Sequence, residues 1–124
     1  MQRNRLGLAT VVLFASMMQM PAGSEEVVEM RLRGHFFVEP ATLNITVTVD
    51  PHELNRQLRI EADSLHLFRA SVIALAGESE KRVHSVVFKN LPAGAYVVRA
   101  WVMSSSTVRG QAEQEVIVTG SGQR

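Results

Sequence analysis

At 124 residues, 46% of them hydrophobic and 20% charged, the chain has the composition of one globular domain and no room for two of ordinary size. Basic and acidic residues number 13 and 12, a formal charge of +1, which excludes the strong basic bias of a nucleic-acid binder. There is no cysteine, so no disulfide staples the fold and no lipid can be attached at an N-terminal cysteine.

Residues 1–23 read as a signal peptide. Arg3 and Arg5 form a positive start, "LGLATVVLFASMM" (Leu6 to Met18) is an apolar run short for a bilayer span, and Pro21, Ala22 and Gly23 offer a helix break and a small-residue cleavage point. The alternative for the same segment is an uncleaved membrane anchor, because Met20 is not an ideal residue two positions before Ala22. Asn4 separates the two arginines, so the general secretory route is expected rather than the twin-arginine one. Cleavage after Ala22 removes two basic residues and no acid, leaving a near-neutral exported domain. The expected location is periplasmic or secreted. Arginine outnumbers lysine 11 to 2, a bias of GC-rich genomes, and points to a bacterial source.

From there to residue 120 the pattern is that of one β-sandwich domain, with 121–124 as a disordered tail. A first strand is expected near Val28 to Val38. "TLNITVTV" (Thr42 to Val49) alternates, with Leu43, Ile45, Val47 and Val49 on one face and Thr or Asn on the other. Asp50-Pro51 marks a turn. "RQLRIEA" alternates again, with Leu58, Ile60 and Ala62 inward. "LHLFRASVIALAG" (Leu65 to Gly77) has few breakers and admits a helix. It is assigned to a strand because Phe68, Val72 and Ile73 favour β and its neighbours are strands. "VHSVVFKNL" and "QAEQEVIV" supply two more strands, and the second is expected at an open sheet edge, where it pairs with a partner strand or guards against pairing through Glu113 and Glu115. The sum is about seven strands, an all-β antiparallel sandwich.

"LPAGAYVVRAWV" carries the clearest local signal. Pro92 fixes its own backbone and Gly94 can take a positive φ, so Leu91 to Gly94 turns the chain sharply between two strands. Tyr96 then starts a strand with Tyr96, Val98, Ala100 and Val102 on one face. Its ring can pack on the core while its hydroxyl bonds back to the turn, the logic of a tyrosine corner. On these dozen residues the chain resembles immunoglobulin-like and fibronectin type III-like sandwiches. The same turn also resembles the Leu-Pro-x-Gly-x-Tyr turn of transthyretin-like and carboxypeptidase regulatory-like domains. The resemblance implies a binding or spacer module and no chemistry.

If the Tyr96 face is the core, Arg99 and Trp101 point outward, and an exposed tryptophan beside an arginine is the kind of pair that anchors an interface. Two other readings stay open. A one-residue slip puts Trp101 in the core, or Arg99 covers the indole within the monomer.

Catalytic chemistry finds little support. "SSST" (Ser104 to Thr107) has no elbow-type glycines and suits a hairpin turn, and no glycine-rich loop precedes a helix. His35, His52, His66 and His84 share no close ligand spacing, and beyond the first 23 residues Met30 and Met103 are the methionines left, so neither metal nor cofactor is expected. The expectation is a non-enzymatic exported module that works by protein–protein contact in the cell envelope through Arg99 and Trp101. It binds no nucleic acid, and it meets a membrane only if the signal segment stays uncleaved. A small-ligand or carbohydrate-binding module and a metal-binding periplasmic protein are the alternatives.

Overall fold

The computed structural model describes residues 27–122, and both alternatives for residues 1–23 lie outside that range. Eight strands follow in order: β1 (Val28–Leu32), β2 (Phe36–Val38), β3 (Ala41–Val49), β4 (Gln57–Asp63), β5 (Phe68–Ala74), β6 (Val83–Leu91), β7 (Gly94–Met103) and β8 (Val108–Thr119). A single 3-10 turn, Gly77–Ser79, lies between β5 and β6. The strands form two sheets, β1-β3-β6 and β2-β8-β7-β4-β5, which face each other as a sandwich.

Alternation builds the core. Leu43, Ile45, Val47 and Val49 of β3 are buried, as are Leu58, Ile60 and Ala62 of β4 and Tyr96, Val98, Ala100 and Val102 of β7. These period-two faces oppose each other across the two sheets, so each strand buries one side and wets the other. Of the phases left open for β7, the one with the Tyr96 face inward is observed, and Trp101 is not a core residue.

The expected first strand is two. Arg33 to His35 separates them, and Gly34 sits at φ 95°, a conformation that L side chains rarely adopt. That turn carries the chain from the three-stranded sheet, where β1 pairs antiparallel with β3, to the five-stranded sheet, where β2 pairs parallel with β8. The sandwich is thus antiparallel except at β2. The same step covers the end of β8: β7 flanks the strand on one side, and on the other β2 pairs with Ile117 to Thr119 and leaves the preceding residues at the sheet edge.

The corner between β6 and β7 forms with one change of part. The Tyr96 hydroxyl donates to the Pro92 carbonyl at 2.7 Å, and the ring is 1% exposed. Leu91 is fully buried beneath it. The positive φ belongs to Asn90 (60°) rather than Gly94. Asparagine tolerates that region because its short polar side chain bonds locally. Asn90 falls where β6 slips register against β3, between the Ala41–Leu91 and Leu43–Phe88 pairs. Gly94 instead lies close to the Tyr96 ring. A Cβ there would stand 3.5 Å from it and 3.6 Å from Ser64, an ordinary contact.

Candidate functional site

The outward face of the five-stranded sheet holds both sequence-derived site residues. Residues paired across antiparallel strands share a face, so the register lists what surrounds them. Trp101 lies between Arg59 of β4 and Gln111 of β8, and Arg99 lies between Glu61 and Glu113. One row further on, Val97 lies between Asp63 and Glu115. On the far side of β4, the β5 residues Phe68, Ala70 and Val72 stand opposite Asp63, Glu61 and Arg59.

Ion pairs fix the polar half of this face. Arg99 reaches Asp63 Oδ2 at 3.4 Å, Glu113 Oε1 at 3.5 Å and Glu61 Oε1 at 3.8 Å. Arg59 Nε donates to Glu61 Oε2 at 2.5 Å. Glu61 is 5% exposed although it points away from the core. A carboxylate can be that buried because two guanidinium groups flank it, and charge-assisted bonds replace the lost water. Arg99 is consequently held in one place by three carboxylates and is not a loose cation beside the indole. Trp101, Val97 and Met103 are half-buried on the same face of β7.

Sequence reasoning placed Arg99 and Trp101 outward but missed Arg59, Glu61 and Asp63. Their signal was the i, i+2 spacing Arg59-x-Glu61-x-Asp63, all on the outward phase of β4. It becomes legible only once β4 is known to lie beside β7.

The histidines are not brought together. His35, between β1 and β2, bonds through Nδ1 to the Glu115 carbonyl at 3.0 Å. His52 accepts from the Leu54 N–H within the loop before β4. His66 is exposed in the loop between β4 and β5. His84 is buried on β6, its Nε2 3.1 Å from the Lys81 carbonyl oxygen. Among the described residues no three His, Asp or Glu side chains are grouped to hold a metal ion. Ser104 to Thr107 closes the β7–β8 hairpin, with the Ser104 N–H on the Thr107 carbonyl at 2.8 Å and the Ser104 hydroxyl accepting from the Ser106 and Thr107 N–H groups. That hydroxyl is a turn fastener. An open groove of about 490 Å³ lies between Glu53, Arg56 and the Leu75–Ser79 segment. Within it Arg56 donates to the Glu53 and Asn55 carbonyls, and the Ala76 N–H donates to Glu80.

No protein-family model and no curated protein sequence matches the chain. Solved structures do. The superoxide reductase (neelaredoxin) of Ignicoccus hospitalis superposes with a TM-score of 0.54 at 12% identity, over 74% of this chain and 80% of that one. Two variants of the same reductase give 0.55 and 0.56, also at 12% identity. They cover 79% and 84% of this chain, and 91% and 86% of theirs. At that identity the likeness is one of fold.

These matches correct the family reading. The immunoglobulin-like and fibronectin type III-like assignment, with its transthyretin-like alternative, rested on Leu91 to Val102, and the structures that superpose on most of the chain are superoxide reductases. The corner itself exists. A tyrosine corner needs only a tight turn, a buried ring and a nearby carbonyl, so it reports a local strand-to-strand crossing and not membership of a family.

Proposed function

We propose that this chain is a non-enzymatic, exported β-sandwich module that works by protein–protein contact in the bacterial cell envelope. Its contact surface is the outward face of the five-stranded sheet. The carrying observation is Trp101, half-buried at mid-sheet, with Arg59, Arg99 and their carboxylates held in fixed positions around it. A rigid aromatic residue ringed by preorganised charge costs little side-chain entropy on binding and supplies both anchor and rim. Ion pairs already formed in the free module favour a partner that meets them with a complementary pattern and penalise one that does not.

The name of the matched structures raises a redox reading. Passing an electron to superoxide calls for a redox centre, and the donor set here does not fit one: cysteine is absent and the histidines are spread over four separate places, each in its own local setting. The contact reading is therefore the better supported.

The test is site-specific photocrosslinking from position 111, the exposed neighbour of Trp101, in cells exporting the chain. A discrete adduct that disappears in a folded Trp101→Ala variant supports the reading. Adducts that persist unchanged in that variant, or none at all, end it.

A further inference from the structure

A sandwich of two open sheets has four edges, and three carry features that work against further pairing. β1 spans five residues, and its Met30 carbonyl accepts from the Gln114 side chain at 2.6 Å. β2 spans three residues, with Pro40 shortly after it, and the part of β8 that it leaves unpaired carries Glu113 and Glu115. β6 carries the register slip, Asn90 at positive φ and Lys89, whose carbonyl accepts from Arg69 at 2.6 Å. Short length, bulges, lysine, proline and capped carbonyls are the devices that keep an edge from pairing.

β5 has none of them. It runs seven residues, Phe-Arg-Ala-Ser-Val-Ile-Ala, in unbroken register against β4. It contains no Pro, Gly, Lys, Asp or Glu. Its one charge, Arg69, is spent on the β6 carbonyl. Phe68, Ala70, Val72 and Ala74 line its outward face, all exposed, with Phe68 at 51% and Val72 at 53%.

We propose that β5 is a self-pairing edge, joining two copies of this chain antiparallel about a two-fold axis at Ser71. The sequence is complementary to itself in that register. Phe68 of one copy meets Ala74 of the other, and Ala70 meets Val72, so large faces small along the whole outward face. No charge meets a like charge, since Arg69 stands opposite Ile73. Each copy contributes a five-stranded sheet, and the pair forms one continuous sheet with an apolar strip at its centre. The Arg59, Glu61 and Asp63 columns flank that strip on both sides, an apolar core inside a charged rim. The inference does not rest on Trp101.

The test is sedimentation equilibrium on the chain as purified from the exporting cell, over roughly 1 μM to 1 mM, the range of a small interface. The expected result is a reversible monomer–dimer equilibrium. Val72→Lys places two cations against apolar partners and weakens association roughly 100-fold with an unchanged circular dichroism spectrum. Trp101→Ala leaves it intact. The absence of native cysteine gives an independent reading. Directly opposed residues in an antiparallel pair are about 4.5–5.5 Å apart at Cα, within disulfide reach. Ser71→Cys therefore yields a disulfide-linked dimer under diamide, whereas Ser85→Cys on β6 does not. A monomer throughout the range, or a crosslink at position 85 in place of 71, overturns the proposal. So do β5 amides that gain hydrogen-exchange protection only when a different envelope protein is added.

Discussion

Strand β7 presents apolar side chains to both sides of its sheet, and the two sets do opposite work. Inward, Tyr96, Val98, Ala100 and Val102 are at most 1% exposed. Outward, Val97, Trp101 and Met103 stay half-buried, with Arg99 among them. The largest side chain of the strand is on the outside. Hydrophobicity alone does not distinguish the two faces. What does is the opposing sheet: the inner set fills a closed interior, while the outer set is braced sideways by ions on β4 and β8. Inner substitutions should therefore register as lost stability, and outer ones chiefly as lost binding.

The sharpest break is Tyr96→Ala. It empties a fully buried aromatic site and should cost about 4 kcal/mol in chemical denaturation. A loss under 1 kcal/mol would mean the inner face tolerates cavities and the contrast between the faces is false. Glu61→Ala comes next, at about 2 kcal/mol, because it removes the charge-assisted bond from Arg59 and the ion pair with Arg99. Glu61→Gln, which keeps the shape, should recover part of that loss, and equal losses would show that volume rather than charge holds the outer face. Trp101→Ala should cost about 2 kcal/mol, less than Tyr96→Ala, while abolishing the crosslink from position 111, since a part-buried indole forfeits only part of the burial of a core aromatic. Tyr96→Phe removes only the bond to Pro92 and should cost about 1 kcal/mol. The smallest effect belongs to Gly94→Ala, within about 0.5 kcal/mol by thermal melt, because an added Cβ meets ordinary contacts and no positive φ is required.

That last pair of facts shows how far local sequence carried. Alternation in β3 and β4 gave the sandwich and the correct core face, because burial against an opposing sheet imposes period two on each strand by itself, whereas β7, apolar on both faces, left its phase open. Leu91, Pro92 and Tyr96 gave the corner for the same reason: all its parts lie within a few residues. Assigning the positive φ to Gly94 failed because a register slip between β3 and β6 places the strain at Asn90, and that slip is a relation between strands distant in the chain. Glu61 falls on the outward phase of an alternating strand, where period alone implies a solvated side chain. Its burial follows from two arginines, one of them on β7. The edge was placed only in part by the same logic. "QAEQEVIV" ends the pattern in sequence, but in space Gly34 lets three residues cross over and cover Ile117 and Val118 at its end. Period is a property of one strand. Neighbourhood is a property of all of them.

The parallel pairing of β2 with β8 has a mechanical consequence. One strand leads back toward the beginning of the chain and the other forward to its end, and they run side by side in the same direction. Tension applied to the two ends therefore slides them past each other along their length. Phe36–Ile117 through Val38–Thr119, and the Glu39 amide on the Thr119 carbonyl, bear that load together instead of opening one after another like a zipper. A domain tethered at both ends and pulled would load this short seam in shear once β1, which precedes β2, has been drawn from β3.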